Sequence, residues 1–153
     1  MHRRLVELER DYDQLLAMQR QSFQINFPGR AFRPLSFDTA LRSSVEYGEV
    51  YAYEVEGQLV GWLWLDWSDF GVGHIRHIHV SRAHWGRGYG RAIMEDAIRI
   101  VAEAGREAVT LNVTKSNKRA MALYTSLGFA VMEDYGDRQY MRLDIGEQTT
   151  PVR

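Results

Sequence analysis

The chain has 153 residues, a formal net charge of −1 at neutral pH, 45% hydrophobic and 25% charged residues, and no cysteine. Such a length and balance describe an ordinary globule of one domain with a sizeable core. A near-neutral surface gives no basic field for nucleic acid or an anionic membrane, and the missing thiols exclude disulfides, cysteine nucleophiles and thiolate metal sites.

Residues 4–8 read as a first strand, ended at Glu9-Arg10. Asp11 is positioned to cap a helix with Tyr12, Leu15, Leu16, Met18 and Phe23 on its buried side, stopped by Asn26-Phe27-Pro28-Gly29. After a loop over 30–35, Ser36 is expected to cap a second helix running through Tyr47 and closed by Gly48. Residues 50–55 and 59–67 make a hairpin about Glu56-Gly57. A polar loop over 68–73 leads to a strand over 75–80.

Gly86, Gly88 and Gly90 then recur at every second position, ahead of a helix whose apolar face is Ile93, Met94, Ala97, Ile98, Val101 and Ala104. Gly105 stands at the helix C′ position. Glycines let backbone amides approach a ligand closely, and the first helical turn has unbonded amides at the positive end of its dipole. Together these make an anion cradle suited to a phosphate or pyrophosphate, with Arg82, Arg87 and Arg91 adding positive charge. An NTPase loop would need Gly-Lys-Ser/Thr, but Gly90 is followed by Arg91 and Ala92; a dinucleotide fingerprint would need glycine where Arg91 stands.

Residues 109–113 read as a further strand, Asn117 opens a short helix to Leu127 that Gly128 ends, and residues 130–134 and 139–145 close as a hairpin about Gly136-Asp137. The order implies an α/β (α+β) protein with a mixed, mostly antiparallel sheet of about seven strands and helices on both faces. One domain is expected over residues 1–146, with a polar tail over 147–153. Neither a signal peptide nor an 18-residue apolar run is seen, so a cytoplasmic location is expected, with no membrane or nucleic-acid partner.

Trp85-Gly86-Arg87-Gly88-Tyr89-Gly90 resembles the acetyl-coenzyme A (acetyl-CoA) loop of the GNAT superfamily of N-acetyltransferases, Gln/Arg-x-x-Gly-x-Gly/Ala, departing where Trp85 replaces Gln or Arg. A second stretch resembles the same family more specifically. Asn117, Ala120, Leu123, Tyr124, Leu127, Gly128 and Phe129 fill every named position of its Asn-x-x-Ala-x-x-Leu-Tyr-x-x-Leu-Gly-Phe pattern. Over residues 3–145 the element order is also that of the GNAT fold.

The resemblance implies acetyl-CoA as co-substrate, transferred to a primary amine on a small molecule or peptide. It implies backbone contacts from Ile78 and Val80 at the end of a splayed strand. It places Arg82, Arg87, Gly88, Tyr89, Gly90 and Arg91 around the pyrophosphate, Asn117 on the pantetheine arm, and Tyr124 by the thioester sulfur as the acid. Asn117 alone would also suit a helix cap, and Tyr124 a core position.

For the base, strand alternation sets Ile75, His77 and His79 on one face and Arg76, Ile78 and Val80 on the other, which favours His77 and then His79. The resemblance further implies an acceptor pocket opposite the cofactor, against residues 23–37, 62–70 and 135–140, where aromatic walls and Asp66, Asp69 and Asp137 suit a cationic amine. Asp-Arg-Gln-Tyr-Met-Arg-Leu near the end faintly resembles protein N-terminal acetyltransferases, and family members often dimerise through their last strands. Two rivals remain: a non-catalytic acyl-CoA binder, and a zinc hydrolase using His77, His79 and Asp66 or Asp69, although no metal is expected.

Overall fold

The computed structural model describes residues 1–145; the tail expected over 147–153 lies outside the described residues. Seven strands and four helices are described: β1 (His2–Leu5), α1 (Leu8–Asn26), α2 (Pro34–Glu46), β2 (Val50–Val55), β3 (Gln58–Asp66), β4 (Val72–Val80), α3 (Tyr89–Glu103), β5 (Ala108–Thr114), α4 (Lys118–Ser126), β6 (Ala130–Asp134) and β7 (Arg138–Asp144). They form one mixed sheet in the order β1-β2-β3-β4-β5-β7-β6, the α/β arrangement expected from the sequence. Pairing is antiparallel for β1 with β2, β2 with β3, β5 with β7 and β6 with β7, and parallel for β4 with β5.

Two helix starts differ from the sequence reading. Asp11 does not cap α1; Glu7 does, and α1 begins three residues before Asp11. The Asp11 carboxylate is instead buried in the first turn, where Oδ2 accepts the Glu7 amide at 2.9 Å and both oxygens accept from the Arg4 guanidinium at 2.7 Å. Likewise Ser36 lies inside α2, which starts at Pro34, where a fixed φ and missing N–H suit the first turn. Burial of a charged pair and proline geometry thus outweighed capping preference.

Contacts divide the chain into two compact units, Met1–Trp64 with His77–Ile93, and Leu65–Arg76 with the residues from Met94 onward. The first has a core of Val6, Leu15, Met18, Phe37, Leu41, Val50, Ala52, Leu59, Trp62 and Trp64, with Phe32 and Tyr12 packed on it. The second buries Met94, Ala97 and Val101 of α3, Val109, Leu111 and Val113 of β5, Phe129 and Met141. Burying such apolar side chains stabilises by roughly 1.5–3 kcal/mol each.

Within the second unit β4 runs so close to α3 that Gly73 has no room for a side chain. An added Cβ would overlap Val101 Cγ2 and lie 2.9 Å from its Cγ1 and 3.2 Å from the Trp67 ring. Gly73→Ala is therefore expected to cost about 1–3 kcal/mol. The urea midpoint reads this, and an unchanged midpoint would count against so tight a fit.

Candidate active site

In the first unit, β4 ends at Val80 and the chain enters a hydrogen-bonded turn. The Ser81 amide donates to Val60 O at 2.8 Å, and residues 82–84 form one 3₁₀ turn. Ser81 Oγ lies 2.7 Å from His84 Nδ1, and the Trp85 indole N–H donates to Val80 O at 2.7 Å. Arg82 lies over the Trp85 ring, 5.1 Å from its centroid. Tryptophan at the position usually held by Gln or Arg therefore ties the turn back to its own strand.

Gly86 and Gly88 follow with φ of 78° and 84°, a conformation side chains resist, and a Cβ at either would meet nothing within 4 Å. The space over these backbones is open. Ala92 N donates to Gly88 O at 3.1 Å, which makes Gly88 the cap of α3 and leaves the amides of Gly88, Tyr89 and Gly90 without acceptors in the helix. Arg82, Arg87 and Arg91 are exposed around them. Convergent amides, a helix N-terminus and exposed cations fit a pyrophosphate. Ile78, Val80, Arg82, Arg87, Gly88, Tyr89, Gly90 and Arg91 are thus brought together by one continuous stretch.

His77 and His79 share a side of β4, their rings 6.1 Å apart. The His77 ring lies 4.3 Å from Trp62, inside an aromatic run that continues to Trp64 and Phe37. Its Nε2 is shut off from solvent with no hydrogen-bond partner, and burial, with a smaller effect of His79, pulls its pKa down to about 3. His79 is buried, its Nε2 3.0 Å from Gln21 Oε1 of α1, and burial takes it to about 4. Both imidazoles are neutral at pH 7 and poor proton acceptors.

In the second unit the parallel ladder of β4 on β5 runs from Val72–Ala108 to Ile75–Leu111, although β5 continues to Thr114. Asn117 caps α4, its Oδ1 accepting from Ala120 N at 3.2 Å, so the capping role is realised. Tyr124 is buried on α4 with its ring 6.0 Å from Phe129. Burial pushes its phenol up to about 12, which keeps it protonated as a donor.

The stretches expected around an acceptor contribute to two cavities, one in each unit. A cavity of about 560 Å³ in the first is lined by Phe23, Phe32, Arg30 and Arg33. A polar cavity of about 610 Å³ in the second is lined by Asp66, Asp69, Asp137, Arg138, Tyr140 and His74. His74 is a third histidine of β4, and strand alternation favours His77 and His79 without pointing to it; its closeness in sequence to Asp66 and Asp69 is the signal that could have found it. Among the described residues no three His, Asp or Glu side chains are arranged to hold a metal, so the zinc rival finds no donor set there. No described helix is long and apolar enough to cross a membrane.

The sequence pattern of the acetyltransferase (GNAT) family matches residues 12–129. A mycothiol acetyltransferase of Propionibacterium freudenreichii subsp. shermanii is 28% identical over 152 residues, covering 92% of this chain and 48% of that protein. The chain spans less than half the length of the curated relatives it matches. Its fold is shared by the ribosomal-protein-alanine N-acetyltransferase of Brucella melitensis (TM-score 0.77, 19% identity, covering 95% of this chain and 100% of that one). It is shared too by the PaiA N-acetyltransferase of Thermoplasma acidophilum solved with coenzyme A (TM-score 0.73, 15% identity, 94% and 98%). With the family pattern spanning both the glycine turn and the Asn117–Phe129 stretch, this chain belongs to the acetyltransferase (GNAT) family of acyl-transferring enzymes.

Proposed function

We propose that residues 1–146 act as one cytoplasmic N-acetyltransferase domain that moves an acetyl group from acetyl-CoA to a primary amine of a small molecule or peptide by direct attack. The observation that carries the reading is the turn into α3, with its two left-handed glycines, open backbone and helix N-terminus. In the proposal the pyrophosphate rests on the amides of Gly88, Tyr89 and Gly90, with Arg82, Arg87 and Arg91 around it. Because Ser81 N–H points to β3, strand alternation turns the amides of Ile78 and Val80 away from β3, available to the acyl arm. Trp85 already occupies the Val80 carbonyl, so that residue would offer its amide alone. Asn117 is assigned to the pantetheine arm.

The reaction needs a neutral amine, a polarised carbonyl and a stabilised leaving sulfur. Tyr124, protonated throughout the physiological range, is the donor proposed for the sulfur. His77 and His79 serve as neutral hydrogen-bonding groups near the end of β4; at pKa values of about 3 and 4 they would scarcely deprotonate an ammonium of pKa about 10. Overall R–NH₃⁺ and the thioester give amide, free thiol and one proton.

Calorimetry with acetyl-CoA, together with a screen of amines that follows thiol release, tests the reading. No heat at millimolar acetyl-CoA sinks it. Tyr124→Phe is expected to bind acetyl-CoA within threefold of the parent and to lower kcat about a hundredfold, at the lower end of general-acid contributions. Binding without transfer to any amine would leave a non-catalytic acyl-CoA module. A homodimer is part of the proposal through edge strand β6, where Val131 and Met132 are about half exposed; light scattering reads it.

A further inference from the structure

The polar cavity of the second unit is held open by a loop that cannot easily collapse. Arg106 Nη1 donates to Trp67 O, Asp69 O and Val72 O at 3.3, 2.9 and 2.9 Å, and its guanidinium lies over the Trp67 ring. Asp66 Oδ1 accepts the Ser68 amide at 2.9 Å. On the other side, the Lys115 amide donates to Asp137 O at 2.8 Å and Lys115 Nζ pairs with Asp134 at 2.6 Å. Into this space projects His74 of β4. Its Nδ1 lies 2.8 Å from the hydroxyl of fully buried Thr110, and its ring is nearly parallel to Tyr140 at 6.5 Å. One ring nitrogen is therefore engaged by the sheet, which assigns the other, Nε2, to the cavity.

On the reading that the chain acetylates amines, we propose that this cavity receives the cationic end of the acceptor and that His74 Nε2 takes the proton from its ammonium. The charged lining is three carboxylates, Asp66, Asp69 and Asp137, against Arg138 alone, an excess of two negative charges when His74 is neutral. That complements a dication, so the substrate class is a diamine or an amine beside a second cation, with the Tyr140 ring available for cation–π contact. The groups acting on His74 are Asp66 at the end of β3, Asp69 in the loop, Arg76 on its own strand and Arg138 on β7. Burial lowers its basicity, the two carboxylates oppose this, and the two arginines add to it. No carboxylate acts on His77 or His79; the first lies against Trp62 and the second against Gln21.

The step balances. R–NH₃⁺ gives one proton to Nε2, and the freed lone pair attacks the thioester carbon, forming C–N. The C–S bond then breaks, the sulfur takes a proton from Tyr124, and the second nitrogen proton restores the phenol. His74 returns its own proton to water.

The test uses the full chain, acetyl-CoA, and the probes 1,5-diaminopentane and 1-aminopentane, with thiol release followed from pH 5 to 10. The diamine is expected to show at least a tenfold higher kcat/KM. His74→Gln should lower kcat about a hundredfold at pH 7 with KM within threefold, and the deficit should shrink as pH approaches 10, where free amine accumulates. His74→Glu should restore at least tenfold of the loss. Asp66→Asn with Asp69→Asn should raise KM for the diamine and leave that for the monoamine. If His74→Gln does not fold, Thr110→Val, which loosens Nδ1, should lower kcat about tenfold with the same recovery at high pH. A His74→Gln enzyme within threefold of the parent at pH 7, or a loss independent of pH, overturns the proposal, as does preference for the monoamine. Wild-type transfer to other amines but not the diamine defeats this inference alone. Acetyl-CoA binding with transfer to no amine defeats the acetylation reading itself.

Discussion

Replacing Asp11 with alanine is expected to cost about 3–5 kcal/mol, because it removes one partner of a buried ion pair. The residue is 1% exposed and its two carboxylate oxygens take parallel bonds from Arg4, a guanidinium that also donates to Glu54 at 3.0 Å and to Leu5 O at 3.1 Å. Loss of the carboxylate leaves that cation with a single acidic neighbour and orphans the Glu7 amide at the start of α1. For a chain of this size the melting temperature should fall by roughly 6–20 °C. Pairing the change with Arg4→Met should recover much of the loss, since an apolar pair removes the stranded charge. A melting temperature within 2 °C of the parent for Asp11→Ala alone would show that the pair contributes little, as exposed pairs do.

A second large effect should appear on acidification. Unfolded histidine titrates near 6.5, whereas His77 and His79 titrate at about 3 and 4 in the fold. Between those limits the unfolded chain binds more protons than the native one, so stability falls as pH drops, by about 1.4 kcal/mol per pH unit for each histidine. From pH 6.5, where the unfolded imidazole is half protonated, down to pH 5 the two together should cost about 3 kcal/mol. Asp11 acts in a lower window: burial disfavours its charge, Arg4 and the Glu7 amide more than compensate, and the resulting stability is lost as pH falls below the ordinary carboxylate range. Urea midpoints at pH 7 and 5 separate the two. His77→Phe and His79→Gln should each flatten the upper slope, and an unchanged slope in both would refute the assignment.

The fold was legible where one periodicity dominated. Of the expected face of α3, Ile93, Met94, Ala97 and Val101 are buried as the spacing requires, Ile98 is half-buried and Ala104, past the end of the helix, is exposed; Gly105 follows with a φ of 78°. The β2–β3 hairpin and the closing pair β6–β7 fall within a residue or two of their expected bounds. Legibility failed where a distant partner decided. Asp11 reads as a cap until Arg4 is seen folded against it, and β4 begins at Val72 because its first residues pair with β5, which follows it by some thirty positions. Within the site, local motifs carried the glycine turn and the Asn117 cap. The basicities of three histidines on one strand were not legible, because they depend on Trp62, Thr110 and Asp66, all contributed by other strands.

The lacing of residues 80–85 has a consequence for recognition. Ser81, His84 and Trp85 fix the approach to the glycines with bonds made entirely inside the protein. Entropy that a floppy loop would surrender on meeting an anion is thereby surrendered during folding, so association starts from a preorganised socket. Exposed beside that socket, Trp85 is also a built-in fluorophore whose emission should change on occupancy.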